Sequence, residues 1–236
     1  MIRYVIAKSN DKLFQEYIQT HIVNVDPKLV SIVTNEMGST IFEKYNYGID
    51  YHKQNGMTES DIVCFVHEDV RVHDKLFNEK LELIFKSRPD IGLVGVMGTT
   101  NFVERGGWWL SQRPYETRGH ILQDRPDLKE PFHMVDQIGF FDDLVSVDGC
   151  CMFMSGKMAL EYSFDSSIFK GYHFYDCDCS FSAIDMGYKV AVADILIEHA
   201  SEGPLPQSWH KSREFFVDKW ISKGLTFPVN INSFSK

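Results

Sequence analysis

Apolar runs and amphipathic stretches alternate through the first hundred residues, and the alternation predicts a layered fold. Residues 2–7 read as a buried strand that closes on the polar Lys8-Ser9-Asn10-Asp11, and residues 13–22 carry apolar side chains at helical spacing, with Ser9 or Asn10 available as cap. Residues 29–33 predict a second strand, which ends at Thr34-Asn35-Glu36, and residues 41–52 a second helix. Residues 61–66 (Asp61-Ile62-Val63-Cys64-Phe65-Val66) hold five apolar residues in a row, the signature of a strand buried on both faces. Strand, helix, strand, helix, strand in that order implies parallel pairing with right-handed crossovers. An amphipathic stretch over 75–86 and an apolar run over 91–96 extend the series.

From residue 97 to about 137 the period is lost, while Gly106, Gly107, Trp108, Trp109, Arg118, Gly119 and His120 accumulate. Long irregular segments are usually functional or disordered, and this one is too aromatic for disorder. It reads as a substrate-facing insertion. Strand pieces at 144–148 and 150–154 flank Gly149, a short helix covers 157–162, and a helix over 176–186 stops at Gly187. Strands at 189–193 and 195–197 and a closing helix at 211–223 complete one domain over 1–236. The predicted fold class is α/β, with a mixed, mainly parallel central sheet flanked by helices.

Composition narrows the partners. With 33 acidic against 24 basic residues the chain carries a formal charge of −9, which argues against a nucleic-acid footprint. Five cysteines, two of them adjacent at 150 and 151, do not form a secreted disulfide pattern and are expected to be reduced. No apolar stretch is long enough to be a transmembrane segment, and the first residues are too short for a signal peptide, so the expected location is cytoplasmic.

Chemistry concentrates where apolar runs stop. The third strand ends at His67-Glu68-Asp69, and in an open α/β sheet the carboxyl ends of the strands border the ligand crevice. Two carboxylates there repel each other unless a cation or a ligand hydroxyl lies between them, although either could instead cap the following turn. Asp176 opens a helix, where the dipole favours its anion. It is a candidate general base or a plain N-cap, and Asp178 lies two residues on. His199 follows the last apolar run and is a candidate cation ligand or a structural hydrogen-bonder. Asn46 sits inside a helix, a poor place for Asn, and faces a ligand or solvent. His173 with Cys177 and Cys179 lacks the second pair that a structural zinc site needs. Trp108, Trp109 and Trp209 are candidates to stack on sugar faces or to pack in the core.

Asn46-Tyr47-Gly48-Ile49, His67-Glu68-Asp69-Val70, Val147-Asp148-Gly149, Phe174-Tyr175-Asp176-Cys177-Asp178 and the late His199 together resemble the family 2 nucleotide-sugar glycosyltransferases, especially the small family 2-like group. The resemblance spans roughly residues 2–203. It implies the GT-A, Rossmann-like fold, a nucleoside-diphosphate sugar donor, a carbohydrate or other hydroxyl acceptor, and inverting transfer assisted by a divalent cation, Mn or Mg. By position Asp69 would hold the cation with His199 as a further ligand, and Asp176 would be the base with Asp178 as its competitor. Glu68 would lie near the ribose or the metal, and Ser9, Asn10, Asn35 and Asn46 would be further donor-binding candidates. Two positions depart from the family pattern: His67-Glu68-Asp69 stands for the usual Asp-x-Asp, and Tyr175-Asp176 for the usual Glu-Asp. A non-catalytic sugar- or nucleotide-binding module of the same fold is the main alternative, and a metal-dependent phosphoester hydrolase is another.

Overall fold

The computed structural model describes residues 1–110, 114–125, 127–200 and 205–234. Part of the expected insertion, including Arg113, and the polar residues 201–203 after His199 therefore lie outside the described residues.

In chain order the elements begin with β1 (Ile2–Ala7), α1 (Asp11–Glu16), α2 (Gln19–Ile22), β2 (Val30–Val33), α3 (Ile41–Gln54), β3 (Ile62–His67), β4 (Val70–Val72), α4 (Phe77–Ser87) and β5 (Ile91–Gly95). They continue with β6 (Met97–Thr99), β7 (Asn101–Phe102), β8 (Thr117–Asp124), β9 (Phe132–Gln137), β10 (Phe141–Leu144), β11 (Ser146–Val147), β12 (Cys151–Ser155) and α5 (Gly156–Glu161). The last are α6 (Tyr175–Asp185), β13 (Lys189–Val192), β14 (Ile197–Ala200), α7 (Gln207–Ser222) and β15 (Val229–Asn230).

The main sheet has the order β10-β13-β5-β12-β3-β1-β2. β1 pairs in parallel with both β2 and β3, β13 runs parallel to β5, and β12 is antiparallel to its neighbours β3 and β5. Because β12 is reversed, the residues that precede it, Asp148 and Gly149, reach the same edge as the carboxyl ends of β1 and β3. β3 shows why a continuous apolar run was needed: Val63 and Phe65 enter one hydrophobic cluster while Ile62, Cys64 and Val66 enter the other, on the opposite face.

The Asn46-Tyr47-Gly48-Ile49 element is explained by packing. A Cβ on Gly48 would collide with the Val5 side chain, so glycine lets α3 lie directly on β1. Asn46 holds the segment before α6 against the same helix: its amide donates to the Phe164 carbonyl at 2.8 Å and accepts from the Phe164 N–H at 2.7 Å. α3 itself starts with a capping box between Thr40 and Glu43.

Two expectations need correction. The helix expected over 13–22 is two short helices, because Tyr17 leaves helical geometry and its hydroxyl bonds Asp124 on β8 at 2.8 Å, under the Arg71 guanidinium. The region from 97 to 137 is not irregular throughout: β6, β8 and β9 belong to a second sheet of order β11-β6-β8-β14-β4, with β9 on β8. β4 follows Asp69 directly and pairs antiparallel with β14, so His199 lies opposite Val70.

Candidate functional site

The second sheet sets His199 beside the acidic edge of the first. The Ala200 N–H donates to the Asp69 carbonyl at 3.1 Å, and His199 Nε2 lies 3.6 Å from Asp69 Oδ2. His67 Nδ1 lies 3.9 Å from Asp69 Oδ1. One donor atom from each of His67, Asp69 and His199 falls within 4.8 Å of the others, the spacing of groups that share a cation. Burial lowers the pKa of both imidazoles, against the opposing pull of Asp69 on His67 and of Asp148 on His199. Both are therefore neutral near pH 7, the form that ligates metal. His199 Nδ1 is buried with no hydrogen-bond partner among the described residues. Two neutral imidazoles and a carboxylate suit a first-row divalent ion such as Mn.

Glu68 has a different task. Its carboxylate accepts from the Ser9 N–H, the Ser9 hydroxyl and the Asn10 N–H, each at 2.7 Å, so it clamps the loop between β1 and α1. Asn10 spends its side chain on capping α1, accepting from Lys12 and Leu13 N–H groups. Asn35 accepts from the buried Lys44 ammonium at 2.6 Å and lies 3.3 Å from the Tyr172 hydroxyl. Ser9, Asn10, Asn35 and Glu68 thus border the strand ends. Asn46 does not, since its amide is spent on Phe164.

Asp176 follows Tyr175, whose hydroxyl lies 2.6 Å from His67 Nε2. The N-cap of α6 is Phe174, in left-handed conformation at φ 67, which places Asp176 inside the first turn and corrects the capping alternative. Its Oδ2 accepts from the Gly149 N–H at 3.0 Å and its Oδ1 from the Cys177 N–H at 2.8 Å. The expectation that the dipole keeps it fully ionised is also corrected. Burial, then the charge of Asp148, pushes its pKa up to about 7. A carboxyl poised there accepts a proton well at neutral pH. Asp178 points elsewhere: it is buried against Lys219 at 2.9 Å and the Trp220 indole N–H at 3.0 Å.

The tryptophans separate. Trp108 is buried and donates its indole N–H to Asp148 at 2.6 Å, and Trp209 is buried against Phe174. Trp109 is 42% exposed, its ring packed at an edge angle against Trp108 and near Trp209.

Three groups escaped the sequence reading: His67 as a donor in the cluster, Asp148 beside Asp176, and the contact of 2.6 Å between His67 Nε2 and the Tyr175 hydroxyl. The signal for the last was present, since both positions depart from the family pattern. Two cavities, of about 440 Å³ beside Leu83 and Phe140 and about 720 Å³ beside Arg105 and Tyr115, contain none of the cluster residues. Donor chemistry, not volume, marks the site.

A mixed, mostly parallel sheet flanked by helices is the GT-A fold of glycosyltransferases. The family described as "Glycosyltransferase like family" matches residues 4–220, and the chain belongs to it. Among solved structures it is similar to "GalNAc-T7 with UDP, GalNAc and Mn2+", at TM-score 0.58 and 8% identity over 89% of this chain, and spans 45% of that chain's length. It is also similar to "A197 from STIV", at TM-score 0.51 and 12% identity over 85% of this chain and 86% of that one. At these identities the likeness shows the fold. No curated protein matches the sequence. No helix among the described residues is long and apolar enough to cross a membrane.

Proposed function

We propose that the protein transfers a sugar from a nucleoside-diphosphate donor to an acceptor hydroxyl with inversion, assisted by a divalent cation held by His67, Asp69 and His199. The observation that carries this reading is one sheet edge that holds both the three-donor cluster and, reached through Tyr175, the carboxyl of Asp176. Family membership supports sugar transfer, and the UDP and Mn2+ named for the GalNAc-T7 structure support the donor class and the ion.

The bound cation would offset negative charge on the departing diphosphate. Glu68 keeps the β1–α1 loop, with the Ser9 and Asn10 backbone, fixed beside the donor. Asp176 takes the proton of the acceptor hydroxyl as its oxygen bonds the anomeric carbon and the bond to the diphosphate breaks on the opposite face. The N–H groups of Gly149 and Cys177 hold the carboxylate in place for that task. Trp109 offers the acceptor an aromatic face.

The test is turnover of a panel of sugar nucleotides with and without Mn2+, with the anomeric configuration of the product read by NMR. Metal-stimulated transfer with inverted configuration is expected. Retained configuration overturns the role of Asp176, and donor binding without any transfer or hydrolysis overturns the enzyme in favour of a binding module.

A further inference from the structure

The two positions that leave the family pattern meet at the cation cluster. The Tyr175 hydroxyl lies 2.6 Å from His67 Nε2, and both partners hang on rigid elements. His67 closes β3 and its backbone N–H donates to the Cys150 carbonyl at 2.9 Å. The Tyr175 ring is buried, its centroid 5.4 Å from that of Tyr45 and 6.4 Å from that of Phe42. Gly149 completes the arrangement, since a Cβ there would collide with the Tyr175 hydroxyl and drive it off His67.

A neutral imidazole that ligates metal through one nitrogen carries its proton on the other, and a partner for that proton fixes both tautomer and ring orientation. With Nε2–H donated to the Tyr175 oxygen, the free lone pair is on Nδ1, the atom that faces Asp69 Oδ1 at 3.9 Å. On the other side of Asp69, His199 presents Nε2. The geometry points to Tyr175 as the positioning residue that locks His67 as a nitrogen ligand, and so to a cation site that selects Mn2+ over Mg2+. Mg2+ demands near-octahedral oxygen ligands and gives up its water reluctantly, whereas Mn2+ takes imidazole more readily. The inference rests on the proposal that this cluster holds the cation, but not on sugar transfer.

The test is a double-mutant cycle on the full chain, with Mn2+ and Mg2+ affinities measured by calorimetry and free Mn2+ by EPR. The proteins are the wild type, Tyr175→Phe, His67→Asp and the double variant. Phe keeps the buried ring, and thermal melts record any cost of losing the hydroxyl. The wild type is expected to bind Mn2+ at least about tenfold more tightly than Mg2+. Tyr175→Phe is expected to weaken Mn2+ by about 10- to 100-fold, the usual worth of a histidine's supporting partner. His67→Asp should narrow the preference, and in that background Tyr175→Phe should change Mn2+ affinity by less than about twofold because no imidazole remains to be oriented. Equal losses in both backgrounds, no loss in Tyr175→Phe, or no Mn2+ binding by the wild type would overturn the inference. A chain that shows the coupling but transfers no sugar keeps the inference and loses the transferase reading. One that transfers sugar with Mn2+ affinity indifferent to the hydroxyl does the reverse.

Discussion

Replacing Asp176 by Asn should make the protein more stable above neutral pH and almost inactive. Burial and the adjacent Asp148 raise this carboxyl from its ordinary 3.8 to about 7 in the folded chain. A folded pKa raised above the unfolded one favours the fold while the group is protonated. That contribution is whole below about pH 3.8 and is lost as pH rises through about 7. Moving the carboxyl from 3.8 to about 7 corresponds to about 4 kcal/mol, at 1.36 kcal/mol per pH unit. An amide never ionises, so the variant escapes the loss. It keeps an oxygen for the Gly149 N–H and gives up about 1 kcal/mol where its NH2 group faces the Cys177 N–H. The net gain at pH 8 should be about 2–3 kcal/mol and should vanish near pH 4, as read from urea melts in EDTA across that range. Sugar transfer should slow by about 10²- to 10⁴-fold, and the wild-type rate should climb with pH through about 7 before levelling. A variant that is less stable at pH 8 yet keeps its rate per folded molecule would refute the reasoning and leave Asp176 a structural group.

Asp69→Ala should abolish the Mn2+ dependence of nucleoside-diphosphate binding without changing the fold, as checked by calorimetry with and without the ion. Asp178→Asn should cost about 3 kcal/mol in urea melts, since Lys219 is left with Asp165 alone, while the rate per folded molecule changes little. Trp109→Ala should raise the acceptor KM by about 3- to 10-fold and leave donor affinity unchanged, the worth of one aromatic face at an exposed site.

Strands β1, β3 and β5 were legible because each is buried on both faces, and helices α3 and α4 because each buries one, so the period carries the structure. Strands β6 and β7 are three and two residues long, too short to show a period. β8 interleaves Arg118, His120 and Gln123 with Ile121 and Leu122, and it is held by β9, the next strand, and by β6 and β14, more distant in the chain. Its polar positions read as loop because the sequence does not announce those partners.

Direction was the harder quantity. Glu68 and Asp69 are adjacent and chemically alike, yet one turns to the Ser9 and Asn10 N–H groups and the other toward His67 and His199. Asp176 and Asp178 diverge in the same way, because two residues along a helix rotate the side chain by about 200°. One reaches the Gly149 N–H and the other Lys219. The chain order places a carboxylate at a strand end or in a first helical turn, but the three-dimensional partner decides whether it binds a ligand or tethers a loop. His67 and Tyr175 show the same dependence on a partner, since the contact between them joins residues 108 positions apart in the chain. An imidazole in place of a carboxylate needs an acceptor for its second nitrogen, and a phenol in place of a carboxylate can supply one without adding charge.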